Sequence, residues 1–234
     1  AVLMLVFKDT ITGLAAGVRL TSNDMLHKGD WITVKSVDAN GIVEDMSLTT
    51  VKVRNFDNTI VTISPITLVN GSFQNWIGMQ KSGGRRVKRV VYFDFRSVRL
   101  VDETLKRNLL AKHFATEDSF KLKESLQKAI DKDIQEGKDI EDLKNPAALA
   151  PTNLQLYRKF MEKYLRQRPE VNTDLTLMVR HMEATQCGLP IEFYFFIKDK
   201  VWVNYEHILA DIMEHAYALA NEFGLKIYEQ YPEQ

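Results

Sequence analysis

The chain has 234 residues, with 31 basic and 31 acidic side chains and one cysteine, Cys187. That length carries one large domain or two small ones with proper cores. Zero net charge excludes a general pull toward nucleic acid or anionic membrane, and a lone cysteine excludes an intrachain disulfide or thiolate metal cage and fits a reducing setting.

Ala1 to Phe7 is almost uninterrupted apolar sequence. A buried strand, the tail of a signal peptide or the end of a membrane helix could each supply it. No small-residue cleavage site follows at Lys8-Asp9-Thr10, and no window approaches the roughly 20 apolar residues that cross a bilayer. Position 1 is not Met, so it reads as a processing site or a cut through something longer. Ile11 to Leu20 predicts a helix, with Ile11, Leu14, Ala15 and Val18 in one apolar stripe. Gly13 and Gly17, with Ala16 beside them, form a step of small residues that lets two helix backbones approach closely. Thr21 to Asp24 breaks the pattern.

From Gly29 the period changes to two. Trp31, Thr33 and Lys35 face one way, and Ile32, Val34 and Ser36 the other. Asp38 to Gly41 reads as a turn on its Asn-Gly pair. Strands are predicted over 41–46, 49–54 and 60–63, with a turn at Phe56 to Thr59 and Pro65 closing the set. Short strands with tight turns argue a small Sm-like or SH3-like barrel. It carries no His cluster, nucleophile–base pair or phosphate loop, so it reads as architectural.

Ser82 to Gly84 is a turn or linker, and Val87 to Phe95 a strand. The basic cluster Arg85, Arg86, Lys88 and Arg89 reads as a solvated strand end rather than a phosphate or headgroup contact. Asp102 caps a helix running to about His113; Thr116 or Asp118 caps another, with Phe120, Leu122, Leu126 and Ile130 as its stripe and Gly137 as its end. Pro146 and Pro151 punctuate a loop, and Asn153 to Arg168 is a further helix. Two strands joined at Thr185 to Gly188 form a hairpin. A helix from about Val201 to Phe223 stops at Gly224, and "LKIYEQ" is the last strand. Without the inserted helices the order is β-α-β-β-α-β, a ferredoxin-like unit.

Catalytic signals are weak. His207, Asp211 and His215 share a helix face within reach of one ion, yet His and Asp at helical spacing are common on surfaces, and no metal is assigned. Cys187 lies in a turn near His181, where a cysteine is usually inert. Trp76 and Trp202 read as core anchors. Asp174, Glu183 and Glu192 are scattered strand acids without an evident pairing.

The succession "GLAAGVRL", "KGDWITV", "GIVEDMSLTTVKVRNFDNTIVTIS" and "NW" resembles the bacterial small-conductance mechanosensitive channel (MscS-like) family. "SGGRRVKR", the helical insertion, "DLTLMVR", "GLPIEFYFF" and "FGL" are similar to its miniconductance, YbdG-like branch. The resemblance covers the whole chain in order. It implies an α+β architecture with residues 1–26 as the inner end of a pore-lining helix and an interfacial helix. Residues 27–70 would then be the β module, and 71–234 the α/β module with an insertion at about 102–168. It also implies transmembrane helices ahead of this sequence, a homoheptamer in a bacterial inner membrane with most of this segment in the cytoplasm, and membrane lipids, ions and small osmolytes as partners. Neither cofactor, catalysis nor nucleic acid is implied. Counting back from Gly17 without gaps places the pore seals at Ala1 and Leu5, and a one-residue shift brings in Met4. Lys8 and Asp9 mark the bend, where the family often has Gly. Gly13, Ala16 and Gly17 would pack between subunits. The family's Pro-Asn after the β module is here Pro65-Ile66. The function implied is a tension-gated channel that releases solutes on hypo-osmotic shock.

Two other classes compete. A soluble ring-forming RNA-binding protein would suit a barrel beside a ferredoxin-like unit, against which stand the zero charge and the lack of an exposed aromatic pair on a strand. An enzyme would use the His207-Asp211-His215 face.

Overall fold

The computed structural model of the chain describes residues 2–121, 128, 131–132, 135 and 150–230, without the side chains of 2–7 and 9. The chain divides into two compact units, Ala1–Ser82 and Gly83–Gln234. The fold is mixed α and β with two antiparallel sheets.

The first unit opens with helix α1 (Val2–Ser22). The helix runs without a break through Lys8 and Asp9, the expected bend, where neither residue is Gly or Pro. Among the described residues no helix is long and apolar enough to cross a membrane. Strands β1 (Trp31–Val34), β2 (Ala39–Met46), β3 (Val51–Asn55) and β4 (Ile60–Ile63) follow. Helix α2 (Pro65–Asn70) has Pro65 at its first position, where the missing N–H costs nothing. Strand β5 (Gln74–Asn75) and helix α3 (Ile77–Lys81) complete the unit. The sheet order is β4-β3-β2-β1-β5, all antiparallel.

The alternation in β1 stands as expected, with Ile32 and Val34 in the core. The Asn-Gly turn does not. Asn40 and Gly41 lie inside β2, and the reversal is made by a 3₁₀ turn at Lys35–Val37 ending on Asp38 with φ 51°. Gly41 serves close approach instead: a Cβ there would overlap the Arg54 carbonyl oxygen and lie 2.6 Å from Asn55 Cα on the paired strand. Strand β5 is too short to show a period.

The second unit carries strand β6 (Arg85–Phe93), helix α4 (Glu103–Ala111), helix α5 (Asn153–Gln167), strands β7 (Met178–His181) and β8 (Leu189–Ile197), and helix α6 (Trp202–Glu222). Asp102 caps α4, its carboxylate accepting from Leu105 N at 2.7 Å. The sheet order is β6-β8-β7. The last expected strand is reduced to a bridge between Phe93 and Ile227, with Tyr228 N donating to Tyr92 O at 2.8 Å. Thr116 precedes a 3₁₀ turn, Glu117–Phe120, and within the span of the expected helix the described residues 128, 131, 132 and 135 are helical. Leu122, Leu126, Ile130, Gly137 and Pro146 lie outside the described residues. The core joins Val87, Val91 and Phe93 of β6 and Ile191, Phe193 and Phe195 of β8 to Tyr157, Met161 and Leu165 of α5 and Ile212, Ala216 and Ala220 of α6.

Candidate functional site

The residues singled out for pore and assembly lie on α1, Ala1 apart, and the structure sorts those from Ile11 onward by face. Ala16, Gly17 and Leu20 are buried, and Leu20 belongs to the β-unit core with Leu26, Ile32, Val43 and Leu68. The expected stripe lies on the opposite side: Ile11 is 59%, Leu14 38% and Val18 53% exposed. A helix of period 3.6 places residues 11, 14 and 18 together and turns 16, 17 and 20 away from them. So α1 has two apolar sides, one used within the chain and one open.

Gly17 is where the first side makes its closest approach. A Cβ there would overlap the Leu48 carbonyl oxygen and lie 2.8 Å from the carbonyl carbon and 2.9 Å from Leu48 Cα. Leu48 sits in the β2–β3 connection, held by Ser47 N donating to Thr50 O at 2.8 Å and Thr50 N donating to Ser47 Oγ at 3.0 Å. Gly13, one turn earlier, has nothing within 4 Å of its Cβ direction. The small-residue step therefore splits: Gly17 is accounted for inside the chain, and Gly13 is not. Ala1 lies outside the described residues; Met4 and Leu5 lie on α1.

The helix leaves through a fixed corner. Met25 N donates to Leu20 O at 3.1 Å, and Asp24 has φ 57°. Asp30, 7% exposed, accepts from His27 N at 3.0 Å and from Asn75 Nδ2 at 2.8 Å, and the same Asn75 amide reaches Met25 O at 3.3 Å. Trp76 stacks on Trp31 with ring centroids 4.7 Å apart and donates Nε1–H to Thr33 at 2.9 Å. Thus the "NW" pair ties the α1–β1 corner to β5, where Trp76 is half-buried rather than a core anchor.

Other sequence candidates do not converge. His207, Asp211 and His215 are exposed; the His215 ring faces the Asp211 backbone carbonyl through Nδ1 at 2.7 Å and stacks on Tyr164 at 5.8 Å. Among the described residues no group of three His, Cys, Asp or Glu could hold a metal. Cys187 is exposed in its turn, and Trp202 is half-exposed. Glu192, an acid without an evident pairing in the sequence, has partners in the structure. It is fully buried and accepts from Arg180 Nε at 2.6 Å, with Lys88 Nζ at 3.6 Å. The Arg180 hydrogen bond outweighs desolvation and holds this carboxyl below the usual range.

Residues 9–78 match the family model described as "Mechanosensitive ion channel, beta-domain". These matches support the MscS-like mechanosensitive channel family. The small-conductance mechanosensitive channel MscMJ of Methanocaldococcus jannaschii is 33% identical over 73 residues, 31% of this chain and 20% of that protein. An uncharacterized MscS family protein of Aquifex aeolicus is 33% identical over 108 residues, 45% of this chain and 28% of that one. Only a minor part of either curated relative is therefore spanned. Two solved structures share the fold over nearly the whole chain. Arabidopsis thaliana MSL1 matches with a TM-score of 0.62 at 10% identity, covering 98% of this chain and 62% of that one. Helicobacter pylori MscS in a closed state matches with 0.60 at 14%, covering 100% and 68%. The family match includes the last two-thirds of α1, the corner and the five strands. MscMJ is by name a mechanosensitive channel, and none of these comparisons supports RNA binding.

Proposed function

We propose that this chain is part of a channel subunit gated by membrane tension, which releases ions and small osmolytes on hypo-osmotic shock. One observation carries the reading: the residues matching the channel β-domain include a helix clamped onto that domain through Gly17. A helix seated on a rigid backbone cannot move without moving what it sits on. Displacement of α1 by lateral tension is then passed directly to the β unit. The free energy is tension times area change, so no cofactor or bond chemistry is needed.

On this reading seven copies form a ring in a bacterial inner membrane, preceded in the full-length protein by transmembrane helices. The chain sits in the YbdG-like branch, with a Sm-like β module and a split β-α-β-β-α-β unit whose fourth strand is shortened. Leu5, with Ala1 or Met4, forms the apolar constriction that stops ions by dewetting. Gly13 and the exposed Ile11, Leu14 and Val18 face neighbouring subunits and lipid.

Cells stripped of their own mechanosensitive channels and expressing the full-length gene product should survive an osmotic downshift that kills the parent. Leu5→Ser should leave the closed pore leaky and slow growth before any shock. Death of rescued and parent cells alike, at confirmed membrane expression, would refute the reading.

A further inference from the structure

The helical region between β6 and β7 has no part in the channel reading, yet it holds a pocket of about 390 Å³. That is the size of a small-ligand site. Its apolar wall is Phe114, Phe160 and Tyr164. Phe114 and Phe160 meet edge to face at 5.2 Å, and both rest on the fully buried Phe223 ring, at 5.9 and 5.6 Å. The wall is thus fixed by the core before anything binds.

The polar side of the pocket is one-signed. Lys159 and Lys163 line it one turn apart on α5, with the Thr116 and Ser119 hydroxyls, and among the described residues no carboxylate lines it. Among the described residues neither ammonium has an ion-pair partner. The acids of the neighbouring 3₁₀ turn do not serve them: Asp118 is paired with Lys121 at 2.6 Å, and Glu117 is exposed. Two lysines at i, i+4 repel each other. A lysine pair that no described carboxylate compensates, beside aromatic faces and two hydroxyls, is complementary to an anionic ligand.

We propose that this pocket binds a small anion carrying a flat ring, of the class of a mononucleotide. The ring lies against the Phe114–Phe160–Tyr164 wall. Its phosphate takes charge-assisted hydrogen bonds from Lys159 and Lys163 and one neutral bond from the Thr116–Ser119 hydroxyl pair, whose oxygens lie 3.2 Å apart and share the other hydrogen. The site lies wholly within the second unit, and its test does not depend on channel activity.

The experiment is calorimetric titration of the whole chain with AMP, with adenosine, and with inorganic phosphate. AMP should saturate at one site per chain, and each fragment should bind at least about tenfold more weakly, because each keeps only one half of the contacts. Lys159→Gln combined with Lys163→Gln should weaken AMP at least about tenfold and leave the ligand-free melting temperature unchanged, since both side chains are exposed. The comparison of AMP with its fragments needs no variant and stands even if that one folds poorly. Absence of saturable AMP binding, phosphate binding as tightly as AMP, or undiminished binding by a folded double variant would each overturn the proposal.

Discussion

Gly17→Leu should unseat α1 from the β unit and lower stability by about 3 kcal/mol, whereas Gly13→Ala should raise stability by up to about 1 kcal/mol. The two glycines are one helical turn apart, yet their surroundings have opposite signs. At Gly17 the first added carbon already overlaps the Leu48 carbonyl. That carbonyl is backbone, in a connection held by its own hydrogen bonds, so it cannot swing aside as a side chain would. The helix must move instead, and Leu20 then leaves a core in which it is fully buried. Overpacking costs about 1–3 kcal/mol and exposure of one Leu about 1.5–3 kcal/mol, with overlap between the two. Even Gly17→Ala should destabilise, because its gain in helix propensity is smaller than the clash. At Gly13 nothing stands in the way, so only the propensity gain remains. Guanidinium unfolding followed by far-UV circular dichroism should show the two midpoints moving in opposite directions. Equal effects at both positions would show that Leu48 does not seat the helix. On the proposed channel reading the same contrast isolates assembly: a gating change in Gly13→Leu with the single-chain fold intact would arise between subunits.

Asn153→Ala should cost about 3–4 kcal/mol, as much as truncating a large apolar core residue. Asn153 is fully buried at the start of α5 and uses all of its amide. Its Nδ2 donates to Ser97 O at 2.9 Å and Phe223 O at 3.1 Å, and its Oδ1 accepts from Arg99 N at 3.0 Å and Leu154 N at 2.9 Å. It therefore joins the segment after β6, the first turn of α5 and the end of α6. Alanine leaves several buried backbone groups unpaired at once, each worth about 1–3 kcal/mol and not additive. Leucine would fare worse, adding bulk to the same loss. The check is the unfolding midpoint of Asn153→Ala against Asn172→Ala, whose amide also donates to a carbonyl, Gly83 O at 2.8 Å, but in an exposed setting. A drop no larger than that of the exposed control would contradict this role.

Neither effect could be read from the sequence, for a definite reason. Periodicity reports which side of an element is apolar, and it located β1, β4, α5, β8 and α6 because each is long enough or regular enough to repeat. It does not report which apolar side is used. On α1 the larger side chains formed the visible stripe, yet the small residues Ala16 and Gly17 are buried, since only they let backbone meet backbone. At Gly41 the Asn-Gly pair was a strong local turn signal, overridden by β3 passing close beside it. Glu192 was visible as an acid within an apolar strand, but its partner was not. The turn pairs Thr185 with Gly188, and simple counting sets His181 opposite Glu192; the pairing slips by one residue and brings Arg180 there instead. Asn153 read as an ordinary residue at a helix start, because a buried amide and a solvated one look alike until their partners are placed.

The most direct test of the central claim is patch recording from membranes containing the full-length gene product, with suction raised in steps. The account predicts openings that appear only above a threshold tension and close when suction is released, at tensions below those that rupture the patch. A protein confirmed in the membrane that stays silent up to rupture, or that conducts without regard to suction, would contradict it.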